Sequence, residues 1–346
     1  MEAFLEQFFA QVHWSILLAS IAASLLMLGK AADILVDQAV ELSDSLHIPP
    51  MVVGATIVSL GTTAPEAAVS VLAAIEGAPG LALGNSVGSV IADTGLILGV
   101  ACLIAPLKLD PRIVNRQGWI QIGSGVLLVL LSAPWTRLDQ IFDSGGRLSQ
   151  EAGFFLLILL AAYLYLSIRW AGQRRAEHER HAEDGHSRAW LTVLKLVVAI
   201  AGVVVSAQVV IPGATEAAAR MSVPESVIAA TLVAFGTSLP ELVTAVTAAR
   251  RGQGELAVGN VIGADILNVL FVAGAAAAVT RQGLEAGSNF FTLLYPSMLF
   301  ILIVFRVGVL ASKDVLRRGF GLVLLVAYLA YIVAGYYFLP EGVPGH

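Results

Sequence analysis

Two carboxylates stand where a carboxylate is expensive. Glu66 follows Gly61-Thr62-Thr63-Ala64-Pro65, and Glu241 follows Gly236-Thr237-Ser238-Leu239-Pro240. Each lies in a run apolar enough to cross a bilayer, where a buried charge costs about 2.5–3.5 kcal/mol on insertion scales. Ser59, Thr62, Thr63 and Glu66 recur at spacings of three or four, so they share one helical face. Ala234, Thr237, Ser238 and Glu241 repeat the arrangement. Pro65 and Pro240 have no N–H, which leaves the carbonyls of Gly61 and Gly236 without their helical donor. Hydroxyls, freed carbonyls and a carboxylate make a hard oxygen cage. Such a cage suits sodium or calcium rather than a soft metal, and no Cys or His stands nearby to favour zinc or copper.

The following segments add to this set. Asn85, Ser89 and Asp93 recur every four residues on one face, with Asn260, Ala264 and Asn268 as counterparts. Gly84, Gly88, Gly259 and Gly263 are small residues spaced by four, which would let a neighbouring backbone approach closely. Asp265 stands one residue past Ala264, at the edge of the set or at a helix interface.

These residues need elements to position them. The chain has 346 residues, 57% hydrophobic and only 13% charged, against about 25% charged in soluble domains. Its apolar residues fall in blocks of about 20, the length of a membrane-spanning helix. The reading is an all-α polytopic membrane protein with ten transmembrane helices near 14–44, 49–75, 80–106, 117–135, 151–171, 189–219, 223–250, 255–279, 288–311 and 317–339. Residues 49–99 and 224–274 match without a gap at an offset of 175, with about 20 of 51 positions identical. Five helices per half make the crossing number odd, so the second half must enter from the opposite side. The halves, 1–171 and 189–346, are therefore two inverted five-helix repeats with broken second and seventh helices, joined by a hydrophilic linker at 172–188. Fourteen basic residues fall in loops on one side of these spans and four (Arg137, Arg147, Arg220 and Arg281) on the other. That bias places the linker in the cytoplasm and both termini outside it, in a cell (inner) membrane.

Other features carry less. Cys102 is the one cysteine and reads as packing. Met1 to Gln11 holds two glutamates and no basic residue, which is wrong for a signal peptide. The linker histidines (His178, His181, His186) lack usual zinc spacing and read as solvated. No Ser/His, paired-aspartate or metal constellation of an intramembrane hydrolase is visible, so no enzyme is expected; nor are a cofactor, nucleic acid or protein partner.

The two Gly-Thr-(Ser/Thr)-x-Pro-Glu motifs, the inverted halves and the central linker resemble the sodium/calcium exchanger family of the cation/calcium antiporter superfamily, over nearly the whole chain. The resemblance implies a secondary antiporter exchanging several sodium ions for one calcium ion. Carried over by position, it implies Ser59, Thr62, Thr63, Glu66, Ser89 and Asp93 as ion ligands from the first half, and Ala234, Thr237, Ser238, Glu241, Ala264 and Asn268 from the second. Ala234 offers only its carbonyl, and Ala264 lacks the hydroxyl the family commonly has there. Asp93 and Asn268 exchange the Asn and Asp that related prokaryotic exchangers often carry, which moves one charge between halves.

Two glutamates and one aspartate offer up to three negative charges. Sodium and calcium need the same carboxylates, and that competition is the physical basis of exchange. The helices 14–44 and 189–219 lack the motif and resemble the family's sliding pair, with Gly29, Ala31, Ala32, Gly202, Gly213 and Ala214 on a smooth face. Lys30, Asp33, Asp37 and Glu41 form a polar stripe, an interface or entry path with Lys30 placed to pair with Asp33. A proton-coupled exchanger is the nearest alternative, through Asp93; a potassium-coupled one is kept open by Asp265; a channel would differ in needing no counter-ion gradient.

Overall fold

A computed structural model describes residues 2–178, 189–221, 236–312 and 314–338. Its helices are α1 (Glu2–Gln11), α2 (Trp14–Leu46), α3 (Pro50–Thr62), α4 (Ala64–Ile75), α5 (Pro79–Ile104), α6 (Pro111–Ser132), α7 (Gln150–His178), α8 (Ala189–Arg220), α9 (Leu239–Arg250), α10 (Gly254–Ala278), α11 (Phe290–Ser312) and α12 (Arg318–Phe338). Seven of the described helices are long and apolar enough to cross a membrane. The bent pair α3–α4 makes eight if it is one span. The sequence reading did not anticipate α1, whose Phe9 is buried and whose carbonyl accepts from Arg220 Nη2 at 2.6 Å.

Punctuation follows the turn residues. Pro50 and Pro79 sit in the first turn of α3 and α5, where the missing N–H costs nothing. Asp110 caps α6, its carboxylate accepting the backbone N–H groups of Arg112 and Ile113. The equivalent glycines Gly77 and Gly252 both turn with positive φ, 85° and 74°. Two short antiparallel pairs were also unforeseen: Leu107–Lys108 with Val315–Leu316, and Gly146–Leu148 with Leu284–Ala286. Each ties a loop of one half to a loop of the other.

The axis of α3–α4 bends by 44° at Thr63, just before Pro65. In the second half Thr237 and Ser238 form the matching turn before α9. Thr63 (φ −80°, ψ −3°) and Ser238 (φ −85°, ψ 9°) have nearly the same backbone. The rest of the expected seventh helix, including Pro224 and Ala234, lies outside the described residues, as does 179–188 of the expected linker.

Among the described residues, four helices contain a π-helical turn, in which the N–H bonds one residue further back than usual. Two of these occupy equivalent places: Asp93–Ile97 in α5 and Asn268–Ala273 in α10. A third, Gly54–Val58, lies in α3, where Ser59 N–H bonds the Gly54 carbonyl. Ala55 O is thereby released, and the Tyr163 hydroxyl donates to it at 3.0 Å.

The glycines at offset positions allow close packing in one half. A Cβ on Gly259 would come within 2.3 Å of Met51 O, and one on Gly263 within 2.5 Å of Ala55 Cα. This lets α10 lie directly on α3. Gly84 and Gly88 are not crowded in this way. The two long helices α2 and α8 pack along each other. A Cβ on Gly202 would meet Ala31 at 3.1 Å, and one on Gly213 would meet Ile21 at 2.9 Å.

Candidate cation site

The broken helix α3–α4 carries Ser59, Thr62, Thr63 and Glu66 into the interior, and all four are buried. Ser238 and Glu241, at the start of α9, are buried with them, and so are Asp93 of α5 and Asn268 of α10. The bend explains why. Thr63 ends one helical stack and Ala64 begins another, so hydroxyls from the end of α3 and the carboxylate in the first turn of α4 point into one space. Backbone at such depth is tolerated only when buried in protein or lining a polar cavity.

The hydrogen bonds run between the halves. Thr63 Oγ1 donates to Glu241 Oε1 at 3.2 Å, and Thr62, whose hydroxyl donates to Ser59 O at 3.3 Å, stands beside Glu241. Asn268 Nδ2 donates to Asp93 Oδ2 at 3.2 Å, and the Ser238 side chain stands beside Asp93. Ser86 Oγ donates to Asn268 O at 2.6 Å, across the two repeats. Glu66 lies close enough to Glu241 and Asp93 for their charges to interact. Its own two carboxylate oxygens are buried without a hydrogen-bond partner. Asp93 Oδ1, Glu241 Oε2 and Asn268 Oδ1 are buried and unpartnered too. Unpaired acceptor oxygens gathered at depth are what a dehydrated cation would satisfy.

Other expected members fall around this centre. Thr237 is half-buried and lines a cavity of ≈ 240 Å³ with Pro65, Pro240, Gly236 and residues of α8. Ser89 is nearly buried, with no hydrogen bond that ties it to the carboxylates. Ala264 is fully buried. Asn85 serves the site indirectly, donating to Ser70 Oγ at 2.9 Å and to the Glu66 carbonyl at 3.4 Å. Asp265 faces a helix interface, where Thr94 of α5 and Gln121 of α6 donate to it. Among the described residues, no three His, Cys, Asp or Glu side chains close around one point as a metal cluster. The site is built instead from carboxylates mixed with hydroxyl, amide and backbone oxygens, the donor set of alkali and alkaline-earth ions.

One expectation is corrected. Asp33 does not pair with Lys30: Arg251, at the end of α9, binds both Asp33, at 2.9 Å, and Asp37. The guanidinium presents a fork that spans two carboxylates one helical turn apart, which an ammonium cannot. Glu41, further along, accepts from Thr192 of α8 at 2.9 Å. Sequence reasoning also missed Thr94, Gln121 and Tyr163. Gln117 and Gln121, four apart in an otherwise apolar helix, were the available signal for the interface.

The profile of the sodium/calcium exchanger protein family matches residues 16–169 and 191–337. The chain is 31% identical to the sodium/calcium exchanger MaX1 of Methanosarcina acetivorans, over 90% of this chain and 96% of that protein. It is 31% identical to the inner membrane protein YrbG of Escherichia coli, over 93% and 97%. Among solved structures, the sodium-calcium exchanger NCX_Mj soaked with sodium and no calcium superposes with a TM-score of 0.77 at 25% identity, covering 92% of this chain and 99% of that one.

Proposed function

We propose, since this chain belongs to the sodium/calcium exchanger protein family, that it exchanges sodium ions for calcium by alternating access at a site between Glu66 and Glu241. The family is one of transporters, and the chain is a multi-pass membrane protein of it. The finer reading is ours. Glu66, Glu241 and Asp93 supply the charge. Thr62, Thr63, Ser238, Asn268 and Ser59 supply neutral oxygens, Ser89 and Thr237 stand at the edges, and Ala234 contributes a carbonyl.

One observation carries this reading: each half hydrogen-bonds the other half's acid. Thr63 reaches Glu241, while Asn268 reaches Asp93. A site assembled from both repeats can change its exposure when the repeats or their flanking helices shift, as alternating access requires. Three monovalent ions would balance three carboxylates, whereas one calcium would leave a negative charge over. Full occupancy by both cargoes is disfavoured because they need the same oxygens.

Access fits the same picture. The ≈ 240 Å³ cavity beside Pro65 and Pro240 has α8 as its other wall, through Val204, Gln208 and Ile211. A Cβ on Gly61 would strike Ile200, and one on Gly236 would strike Ile211. Thus α8 lies across both breaks, where sliding of α2 and α8 would open or close the path. The arrangement we favour has ten spans in two inverted repeats, with the second and seventh broken. The 22-residue α6 is about 33 Å long at 1.5 Å per residue, enough to cross. We place the protein in the inner membrane, with both termini extracytoplasmic and the linker cytoplasmic, from the basic-residue bias.

Isotopic calcium uptake into proteoliposomes tests the function, with sodium, potassium and proton gradients imposed one at a time. Uptake that follows the outward sodium gradient is expected. Uptake driven by protons or potassium alone would replace sodium as the coupling ion, and uptake indifferent to every counter-gradient would make the protein a channel.

A further inference from the structure

Asp265 is a buried carboxylate with no cationic partner. Thr94 Oγ1 donates to its Oδ2, and Gln121 Nε2 donates to the same oxygen at 2.5 Å. Gln121 Nε2 also donates to Thr94 Oγ1 at 3.1 Å, so the three side chains form a closed cluster. All three are 1% exposed or less. Among the described residues no Lys, Arg or His pairs with Asp265. Arg306, which abuts Gly118 within a turn of Gln121 on α6, stacks over the Trp119 ring at 4.7 Å instead.

The cluster leaves acceptors unused. Asp265 Oδ1 and Gln121 Oε1 are buried and have no hydrogen-bond partner. Thr94 Oγ1 adds a third oxygen. Two neutral donors on a single carboxylate oxygen do not neutralise its charge, and an uncompensated charge at this depth is costly. Asp93 is near enough for the two carboxylates to repel, which adds to the cost.

The cluster does not come from the duplication. The residue equivalent to Asp265 in the first half is Val90, and the one equivalent to Thr94 in the second is Val269. Gln121 stands on α6, outside the matched segments. The exchange site is made twice over by the repeats, whereas this arrangement exists in one copy.

We propose that Asp265, Thr94 and Gln121 form a second cation site, beside the exchange site, that holds one monovalent alkali ion. The proposal deepens the exchange reading and rests on it for the identity of the neighbouring site. A single carboxylate with hydroxyl and amide oxygens balances one positive charge. A divalent ion would leave a buried excess of one, and a soft metal would want nitrogen or sulfur ligands.

The test uses the full chain purified in detergent in choline chloride, with its unfolding temperature followed as NaCl or KCl is added. Glu66→Gln/Glu241→Gln removes the two main carboxylates of the exchange site. In that background we expect a saturable rise in unfolding temperature with NaCl or KCl, whichever salt acts at the lower concentration naming the ion. Adding Asp265→Asn should abolish the rise, and adding Thr94→Val, which keeps shape and removes the oxygen, should move half-saturation to higher salt. A background with no saturable response, the behaviour of a carboxyl that stays protonated, overturns the proposal. So does a response that Asp265→Asn and Thr94→Val leave unchanged. Calcium uptake by the unaltered protein is read separately, so failure of exchange and failure of this site are distinguishable.

Discussion

Glu66 and Glu241 hold equivalent places in two nearly identical motifs, yet their surroundings differ. Glu241 accepts from the Thr63 hydroxyl of the other half. Glu66 has no hydrogen bond to either oxygen. By strict two-fold symmetry Thr237 and Ser238 would hold Glu66 in return. Instead Thr237 borders the cavity and Ser238 stands beside Asp93. The reason lies in one exchanged pair. The acid on the third-helix position is Asp93, and its mate Asn268 is neutral. The added charge in the first half takes the Asn268 amide as its donor, with Ser238 beside it. Duplicated sequence thus gives an unequal site, in which one glutamate is anchored by protein and the other is left for an ion.

The largest effects should come from the glutamates themselves, and they break the comparison most directly. Glu66→Gln and Glu241→Gln should each abolish sodium-driven calcium uptake in proteoliposomes, since either removes a carboxylate both cargoes need. Their stabilities should diverge. In cation-free buffer Glu66→Gln should leave the unfolding temperature unchanged or raise it, because it deletes an unpaired buried charge. Glu241→Gln should lower it, because hydrogen bonds to a charged acceptor become weaker ones. Equal shifts in the two variants would mean the glutamates are equivalent after all.

The exchanged pair gives the next test. Asp93→Asn should impair calcium uptake severely, leaving the site with two carboxylates. Adding Asn268→Asp restores the number and puts the charge on the other side of the pseudo-two-fold axis. The double variant should recover most of the activity and redirect the hydroxyls, so that Glu66 becomes the anchored glutamate. Recovery of uptake without any change in the relative stabilities of the Glu66→Gln and Glu241→Gln derivatives would show that Asp93 is not what unbalances the site.

Much of this region could be read from the chain because local chemistry dictates it. Proline and the following acid fix the break at Thr63, and the apolar block lengths fix most helices to within a few residues. The carboxylate set is legible because idle charges do not survive in apolar runs. What sequence left open depends on contacts made across the fold. Asp33 has Lys30 at a favourable helical spacing, but Arg251 arrives from more than 200 residues away and takes both aspartates. One partner of Asp265, Gln121, comes from α6, which lies outside the matched segments. The π-helical turns at Asp93 and Asn268 were not read from the chain, although they recur at equivalent places of the two repeats. The small N-terminal helix α1 is too short for a hydropathy block and owes its place to Phe9 and Arg220.

Smaller effects should separate the two anchoring bonds. Thr63→Ala removes a donor to Glu241, and Ser238→Ala removes a hydroxyl that stands beside Asp93. Hydrogen bonds to charged groups contribute about 1.5–3 kcal/mol, so each variant should weaken apparent calcium affinity by roughly ten- to hundred-fold. Ser238→Ala should be rescued in part by the Asp93→Asn/Asn268→Asp background, where its acceptor no longer lies in the first half. Calcium dependence of initial uptake rates measures both, and identical losses in the two backgrounds would separate Ser238 from Asp93.

The smallest effect belongs to the support of the break rather than to the site. The π-helical turn in α3 releases the Ala55 carbonyl, and Tyr163 of α7 is the group that satisfies it. Its mate in the second half would lie at 230, outside the described residues. Tyr163→Phe keeps the ring packed and removes only the hydroxyl, leaving a buried acceptor unpaired at a cost of about 1–3 kcal/mol. The bulge sits one turn before Ser59, so a relaxed bulge would turn the hydroxyl face of α3 relative to Glu241. The expected outcome is a modest drop in unfolding temperature together with a few-fold loss of calcium affinity, while Tyr165→Phe, on an exposed neighbour of the same helix, changes neither. A drop in stability with calcium affinity intact would make Tyr163 a packing residue alone, and would mean that Glu241 keeps its anchor however the backbone ahead of Thr63 is wound.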